Sequence, residues 1–276
     1  MNEHKEHTAQ FDLAWNDDHV FPDVVYPDVD FLFEKMNEVT RGTVSEGTGQ
    51  RVLDVGSGRC FDAVELVKRG DRCYGIEVSI TMLNHSKAHM SENSVEVILV
   101  RGIGEYLPFK NGSFDKVFCK GAMDHFANPD KAIEEMSRIT KQDGSVIISI
   151  ANFESLGFKL AKIYHRAKKF IHIAKDDDKR KAWEIPPDHI YKFDHPFLKH
   201  LIAPHLKIEQ SKGVSLMVGT PKWGPFLHLL PRSISRGILN PLDKLARHTP
   251  SLSDVIVMTG SPRTKSEIGR QDRRRE

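Results

Sequence analysis

Between Gln50 and Asn152 the chain alternates repeatedly between short runs rich in β-branched and aromatic residues and longer stretches with helical spacing. That alternation restricts it to a parallel sheet whose strands are joined by crossover helices. The strand-like runs are "RVLDV", "DRCYGIEV", "VEVILVRG", "FDKVFCKG" and "SVIISIAN". Between them, "FDAVELVKRG" gathers Ala63, Val64, Leu66 and Val67 on one side and stops at Gly70. Ser79 is placed to cap a helix through "ITMLNHSKAHM". In "NPDKAIEEMSRITKQDG" the spacing of Ile133, Met136 and Ile139 predicts a helix that the glycine ends. Right-handed crossovers place ligands beyond the carboxyl ends of such strands, which selects 54–58, Glu77, 101–105 and 119–121 as wall candidates.

The rest of the chain decorates this unit. With 276 residues it can bury one sizeable core, so one main domain is expected. Forty basic residues against 38 acidic ones leave a net charge of +2, which does not announce a nucleic-acid binder. Cys60, Cys73 and Cys119 are odd in number and widely spaced, excluding a disulfide framework or a zinc motif and fitting a reducing cytoplasm. The start, "MNEHKEHTAQF", lacks the apolar run of a signal peptide, and no stretch is apolar enough to span a bilayer. "GFKLAKIYHRAKKFIHIAKDDDKRKAW" predicts one or two basic amphipathic helices. "HPFLKHLIAPHL" reads as a helix, and "KIEQSKGVSLMVG" and "SDVIVMTGS" as strands.

The site chemistry begins at "GSG". Gly56 and Gly58 lack a Cβ, which permits a sharp turn after the first strand and close approach of a ligand to the main chain, while the next helix offers free N–H groups. Glu77 ends the second strand, 19 residues after Gly58, where a carboxylate can accept the hydroxyls of a ribose. Dinucleotide and sulfonium cofactors both use such an acid. Phe61 stands where a dinucleotide fingerprint needs its third glycine, and Asp54 lies two residues before the first, which disfavours nicotinamide binding.

Taken together, "VLDVGSGRCFD", "YGIEVS", the run from "VRGIGEYLPF" through "GSVIISI", and "DHIYKFDHPFLKHL" resemble the class I S-adenosylmethionine-dependent methyltransferases, in particular small-molecule enzymes with a ubiquinone-biosynthesis-like domain. The resemblance covers roughly residues 45–262. It implies a Rossmann-like, doubly wound α/β fold, with a mostly parallel seven-stranded sheet, helices on both faces and an antiparallel final strand. It also implies S-adenosyl-L-methionine as cofactor: Asp54, Gly56 and Gly58 around the methionine part, Glu77 on the ribose, Ile103 and Gly104 beside the adenine, and the Lys120 backbone at the methionine end. Cys60 replaces a glycine common in relatives, and Ile103 an aspartate that binds the adenine amino group.

A methyltransferase of this kind needs orientation and water exclusion more than side-chain chemistry. His125, in "GAMDHF", is the candidate general base. No metal is expected, because Asp124 and His125 have no further ligand at a recognisable spacing. Trp183, His189 and Tyr191, with His195 nearby, are the candidate acceptor contacts. The acceptor is expected to be a small or lipid-like molecule, methylated at oxygen, with nitrogen or carbon open and nucleic acid not favoured. Residues 1–44 are expected to form an N-terminal lid, 153–190 and 217–250 substrate-side insertions, and 263–276 a disordered basic tail. Segment 217–250 combines Trp223, Phe226 and Leu229 with Arg232 and Arg236, a composition that can lie on a membrane surface. Rival readings are a non-catalytic cofactor-binding module, an oxidoreductase using NAD(P), and an RNA methyltransferase docking through Lys168, Lys169 and Lys175. Oligomeric state is left open.

Overall fold

The structure, a computed structural model, describes residues 13–17, 25–44, 48–171 and 180–264. The sequence-predicted tail lies outside the described residues from 265 onward, as do Lys175 and most of the first 24 residues. A helix α1 (Pro27–Val44) leads into β1 (Arg51–Val55), α2 (Phe61–Lys68), β2 (Arg72–Glu77), α3 (Ile80–Asn93) and β3 (Ile98–Arg101). Then come β4 (Phe114–Lys120), a short 3-10 turn (Met123–His125), α4 (Pro129–Ile139), β5 (Thr140–Ala151) and α5 (Leu156–Phe170). The chain closes with α6 (His195–Ile202), β6 (Leu206–Val214), α7 (Trp223–His228), α8 (Arg232–His248) and β7 (Val255–Pro262). The strands form one seven-stranded sheet in the order β3-β2-β1-β4-β5-β7-β6. Neighbours from β3 to β5 pair in parallel, and β7 runs antiparallel to both β5 and β6.

Because side chains alternate across a strand, each buried strand feeds two cores. Val52, Phe118, Ile147 and Val257 face a layer containing Met36 of α1 and Ala63, Val64 and Leu66 of α2. Their neighbours Leu53, Val117, Ile148 and Met258 face Ile133, Met136 and Ile139 of α4 and Leu198 and Ile202 of α6. The fold is therefore the doubly wound sheet with helices on both faces and a final antiparallel strand that the sequence predicts. Among the described residues no helix is long and apolar enough to cross a membrane.

Ser79 caps α3 as predicted, its hydroxyl accepting from the Met82 N–H at 3.3 Å. The helix expected to run on to Gly144 instead stops at Ile139. Thr140, β-branched and extended, opens β5, while the Gly112 and Ser113 N–H groups take the Arg138 and Ile139 carbonyls at 3.1 and 2.7 Å. Gly144 serves the strand pairing there, since a Cβ would stand 2.6 Å from the Asp115 carbonyl. Segment 217–250 packs partly on its own domain: Leu227 and Leu239 are buried with Phe31 of α1, and Arg236 pairs with Glu34. Phe226, Leu229 and Ile234 of the same segment remain exposed.

Asp254, just before β7, is buried, and burial pushes its carboxyl up from 3.8 to about 8 against the opposing Val218 N–H at 3.2 Å. The folded chain thus keeps a proton that the unfolded chain sheds. The resulting stabilisation is complete below about pH 4 and fades as pH rises through the folded value, by at most about 1.4 kcal/mol per pH unit. Denaturant titrations across this window should show the decline in the wild type and a flatter profile in Asp254→Asn.

Candidate functional site

The carboxyl ends of β1, β2 and β4 meet where the glycine turn leaves β1. Gly56 and Gly58 take φ of 72° and 51°, and Cys60 follows in the same left-handed region at 59°. Cys60 therefore holds a left-handed conformation, at the cost it carries for a residue with a Cβ. The lack of a side chain at Gly56 is required by packing as well as turning, since a Cβ would lie 2.5 Å from the Ala122 Cβ. Gly104 is likewise closed against Phe126, at 2.8 Å. Ile103 is half-buried beside it.

Beneath the turn lies a concentration of acid. Asp54 is buried and its carboxyl is raised well above the usual range, first by burial, then by Asp62, with Lys120 opposing and Glu77 adding to the rise. Lys120 does more than offer backbone: its ammonium pairs with Asp62 of α2 and donates to Asn37 of α1 at 2.6 Å, tying α1 to the turn. Glu77 accepts from the Gly58 N–H at 3.0 Å and the Ser79 N–H at 2.9 Å. A carboxylate has about four acceptor positions, so two hydroxyls can still be taken.

Residues 13–17 lie over this edge. The Trp15 carbonyl accepts from Ser79 Oγ at 2.6 Å, the Leu13 carbonyl from the Ile80 N–H at 3.1 Å, and Asp17 pairs with Arg59 at 2.6 Å. The Trp15 ring stands edge-on to His125, with centroids 5.3 Å apart.

The 3-10 turn after β4 carries Asp124 and His125, and the irregular segment before α6 brings His189 against them. His189 Nδ1 lies 3.0 Å from Asp124 Oδ2, and the two imidazoles meet edge to face at 4.6 Å. Burial disfavours protonation of His189, but the Asp124 carboxylate outweighs it and raises the pKa. His125 Nδ1 lies 2.9 Å from the Asp188 carbonyl, which can only accept, so this nitrogen carries the hydrogen. Of the other candidate contacts, Trp183 packs on His165 of α5 at 5.8 Å. Tyr191 stacks on Phe197 and donates to the Ala127 carbonyl at 3.1 Å. His195 Nε2 lies 3.1 Å from Ser211 Oγ. Sequence reasoning missed the joining of His189 to Asp124 and the roles of Asp62 and Asn37; the "PPDH" turn was the available signal for the first, and nothing local marked the others.

Residues 53–148 match the methyltransferase domain family. This stretch is a class I methyltransferase domain, of the S-adenosylmethionine-dependent kind. Relatives include an uncharacterized methyltransferase, YcgJ, of Bacillus subtilis, 34% identical over 36% of this chain and 39% of its own length. The demethylmenaquinone methyltransferase of Mycobacterium tuberculosis is 33% identical over 40% of this chain and 44% of its own. The ubiquinone biosynthesis O-methyltransferase of Dechloromonas aromatica is 33% identical over 42% and 50%. The matched stretch thus spans half or less of these relatives. The crystal structure of YcgJ aligns over 84% of this chain and 99% of that one, with a TM-score of 0.54 at 19% identity, which shows the shared fold.

Gly56→Ala should cost at least about 2 kcal/mol of stability, combining left-handed strain with overpacking against Ala122. Gly58→Ala, whose Cβ would meet only Met82 Cε at 3.7 Å, should cost about 1 kcal/mol. Urea unfolding of both variants checks the difference.

Proposed function

We propose that the chain transfers the methyl group of S-adenosylmethionine to an oxygen of a small-molecule or lipid-like acceptor. The observation that carries the reading is the charge at the turn, where Asp54, Asp62 and Glu77 stand together and the two cations beside them, Lys120 and Arg41, both pair with Asp62. Such a site is matched to a cation and repels the pyrophosphate of a nicotinamide dinucleotide. S-adenosylmethionine fits it with its sulfonium and ammonium charges, and supplies, when bound, a methyl group already activated for displacement.

This chain's residues then divide the remaining work. Asp54 faces the cationic methionine end, the Gly56–Gly58 turn leaves its backbone accessible, and Glu77 takes the ribose hydroxyls. Ile103 and Gly104 with Phe126 give the adenine an apolar seat. Trp15 and its neighbours exclude water from the edge, which strengthens each electrostatic contact beneath them. Asp124, His125 and His189 form the polar wall that receives the acceptor and its proton. We assign no proton transfer to His125 alone, because its free Nε2 faces Asp124 Oδ1 at 3.9 Å. The choice of oxygen is supported by this wall and by the likeness to the Dechloromonas aromatica ubiquinone biosynthesis O-methyltransferase.

Methyl-labelled S-adenosylmethionine should pass label to at least one member of a panel of catechols, hydroquinones and prenylated quinols. Label appearing only on amines or carbon acids would overturn the oxygen assignment. Tight binding of S-adenosylhomocysteine with no labelled product from any acceptor class would favour the non-catalytic module.

A further inference from the structure

The wall formed by Asp124, His125 and His189 has the chemistry of a cation site. One ligand atom from each residue can be chosen so that all lie within 4.8 Å of one another. Asp124 is only 3% exposed, and its Oδ1 has no hydrogen-bond partner among the described residues. His189 Nδ1, although 3.0 Å from Asp124 Oδ2, makes no hydrogen bond of acceptable geometry either. A buried carboxylate oxygen left without a donor, as Asp124 Oδ1 is, is costly unless a proton or a cation satisfies it.

The tautomer of His125 sharpens the point. Its Nδ1–H is committed to the Asp188 carbonyl, so in the neutral ring Nε2 is a bare lone pair, and it faces a carboxylate oxygen 3.9 Å away. Two acceptors opposed across that gap attract nothing to each other and both attract a cation. Imidazoles that bind metals commonly donate their other N–H to a backbone carbonyl in this way, which fixes the ring and leaves the ligating nitrogen free. Asp188 is itself held, its carboxylate accepting from Trp15 Nε1 at 3.4 Å. The Asp124 backbone is held too, its carbonyl accepting from the Ile190 and Tyr191 N–H groups at 2.8 and 3.4 Å.

The distances suit a small ion. Donors bound about 2.1 Å from a common centre stand roughly 3.0–3.4 Å apart. Asp124 Oδ2 and His189 Nδ1 already have that spacing at 3.0 Å, while His125 Nε2 stands 3.9 Å from the other oxygen, Oδ1, so a closer approach of His125 is part of the proposal. Two imidazole nitrogens and one carboxylate oxygen select first-row divalent metals over calcium or magnesium, which prefer all-oxygen shells. Three protein ligands also leave coordination positions open.

We propose that Asp124, His125 and His189 bind one first-row divalent transition-metal cation beside the cofactor edge. Its role there, holding the acceptor oxygen and easing loss of its proton, rests on the methyl-transfer reading; the binding of the cation does not. The full chain, stripped with chelator, is titrated with Co²⁺ by calorimetry and visible absorption, and with Zn²⁺ by calorimetry. One equivalent should bind, with the ligand-field band of a nitrogen–oxygen site, and His189→Ala and His125→Ala should each weaken it by at least about tenfold. His200→Ala, on the exposed side of α6, should leave it unchanged. Cooperative melting of the variants separates loss of a ligand from loss of fold, and the wild-type stoichiometry and spectrum stand even if a variant does not fold. Absence of a one-equivalent site in the wild type, or equal Co²⁺ affinity in folded variants, overturns the proposal. A metal site without S-adenosylmethionine binding would keep the site and remove only its role toward the acceptor.

Discussion

A carboxylate held away from water must find positive charge or take up a proton, and Asp54 is in that position at the end of the first strand. The turn that follows, the lysine at the end of β4 and the acids of α2 and β2 are all arranged around it. Lys120 answers part of the demand and in doing so reaches Asp62 and Asn37, so that the charge balance of the site also anchors α1. On the proposed function the remaining demand is met by the cofactor, and the raised Asp54 pKa is then linked to a preference for a cationic one.

The sheet makes the arrangement possible. Parallel neighbours from β3 to β5 end at the same edge, so residues distant in sequence arrive together without any local signal between them. The two faces are filled by α1 and α2 on one side and α4 and α6 on the other. With both faces occupied, the edge is where main-chain groups and polar side chains remain available to a ligand. The antiparallel β7 extends that edge, bringing Asp254 beside the end of β5.

What could be read from the sequence was what is encoded locally. The glycine pair, the acid at the end of β2, the Ser79 cap and the strand alternation each depend on residues a few positions apart, and each has its expected structural place. Glu77 shows the limit of that reading, since its two hydrogen bonds to the Gly58 and Ser79 N–H groups make it a brace for the loop before any ribose arrives. The long-range assemblies were not legible. The "PPDH" turn marks a bend at His189 but not its partner, because Asp124 follows β4 and His189 lies beyond β5 and α5, so the contact is made only in the folded chain. The early end of α4 was missed for a related reason: its last carbonyls are satisfied by Gly112 and Ser113, outside the helix, and strand pairing of Thr140 with Phe114 prevails over helical spacing.

The measurement that reaches the centre of this account is calorimetry of S-adenosylmethionine binding in buffers of different ionisation enthalpy, at acidic to neutral pH. If Asp54 holds a proton because it is buried, and the cofactor supplies the missing positive charge, binding should release protons, and Asp54→Asn should abolish that release. NADH should give no comparable heat. Binding of NADH in place of the sulfonium compound, or binding of the sulfonium compound with no proton release that depends on Asp54, would contradict the account.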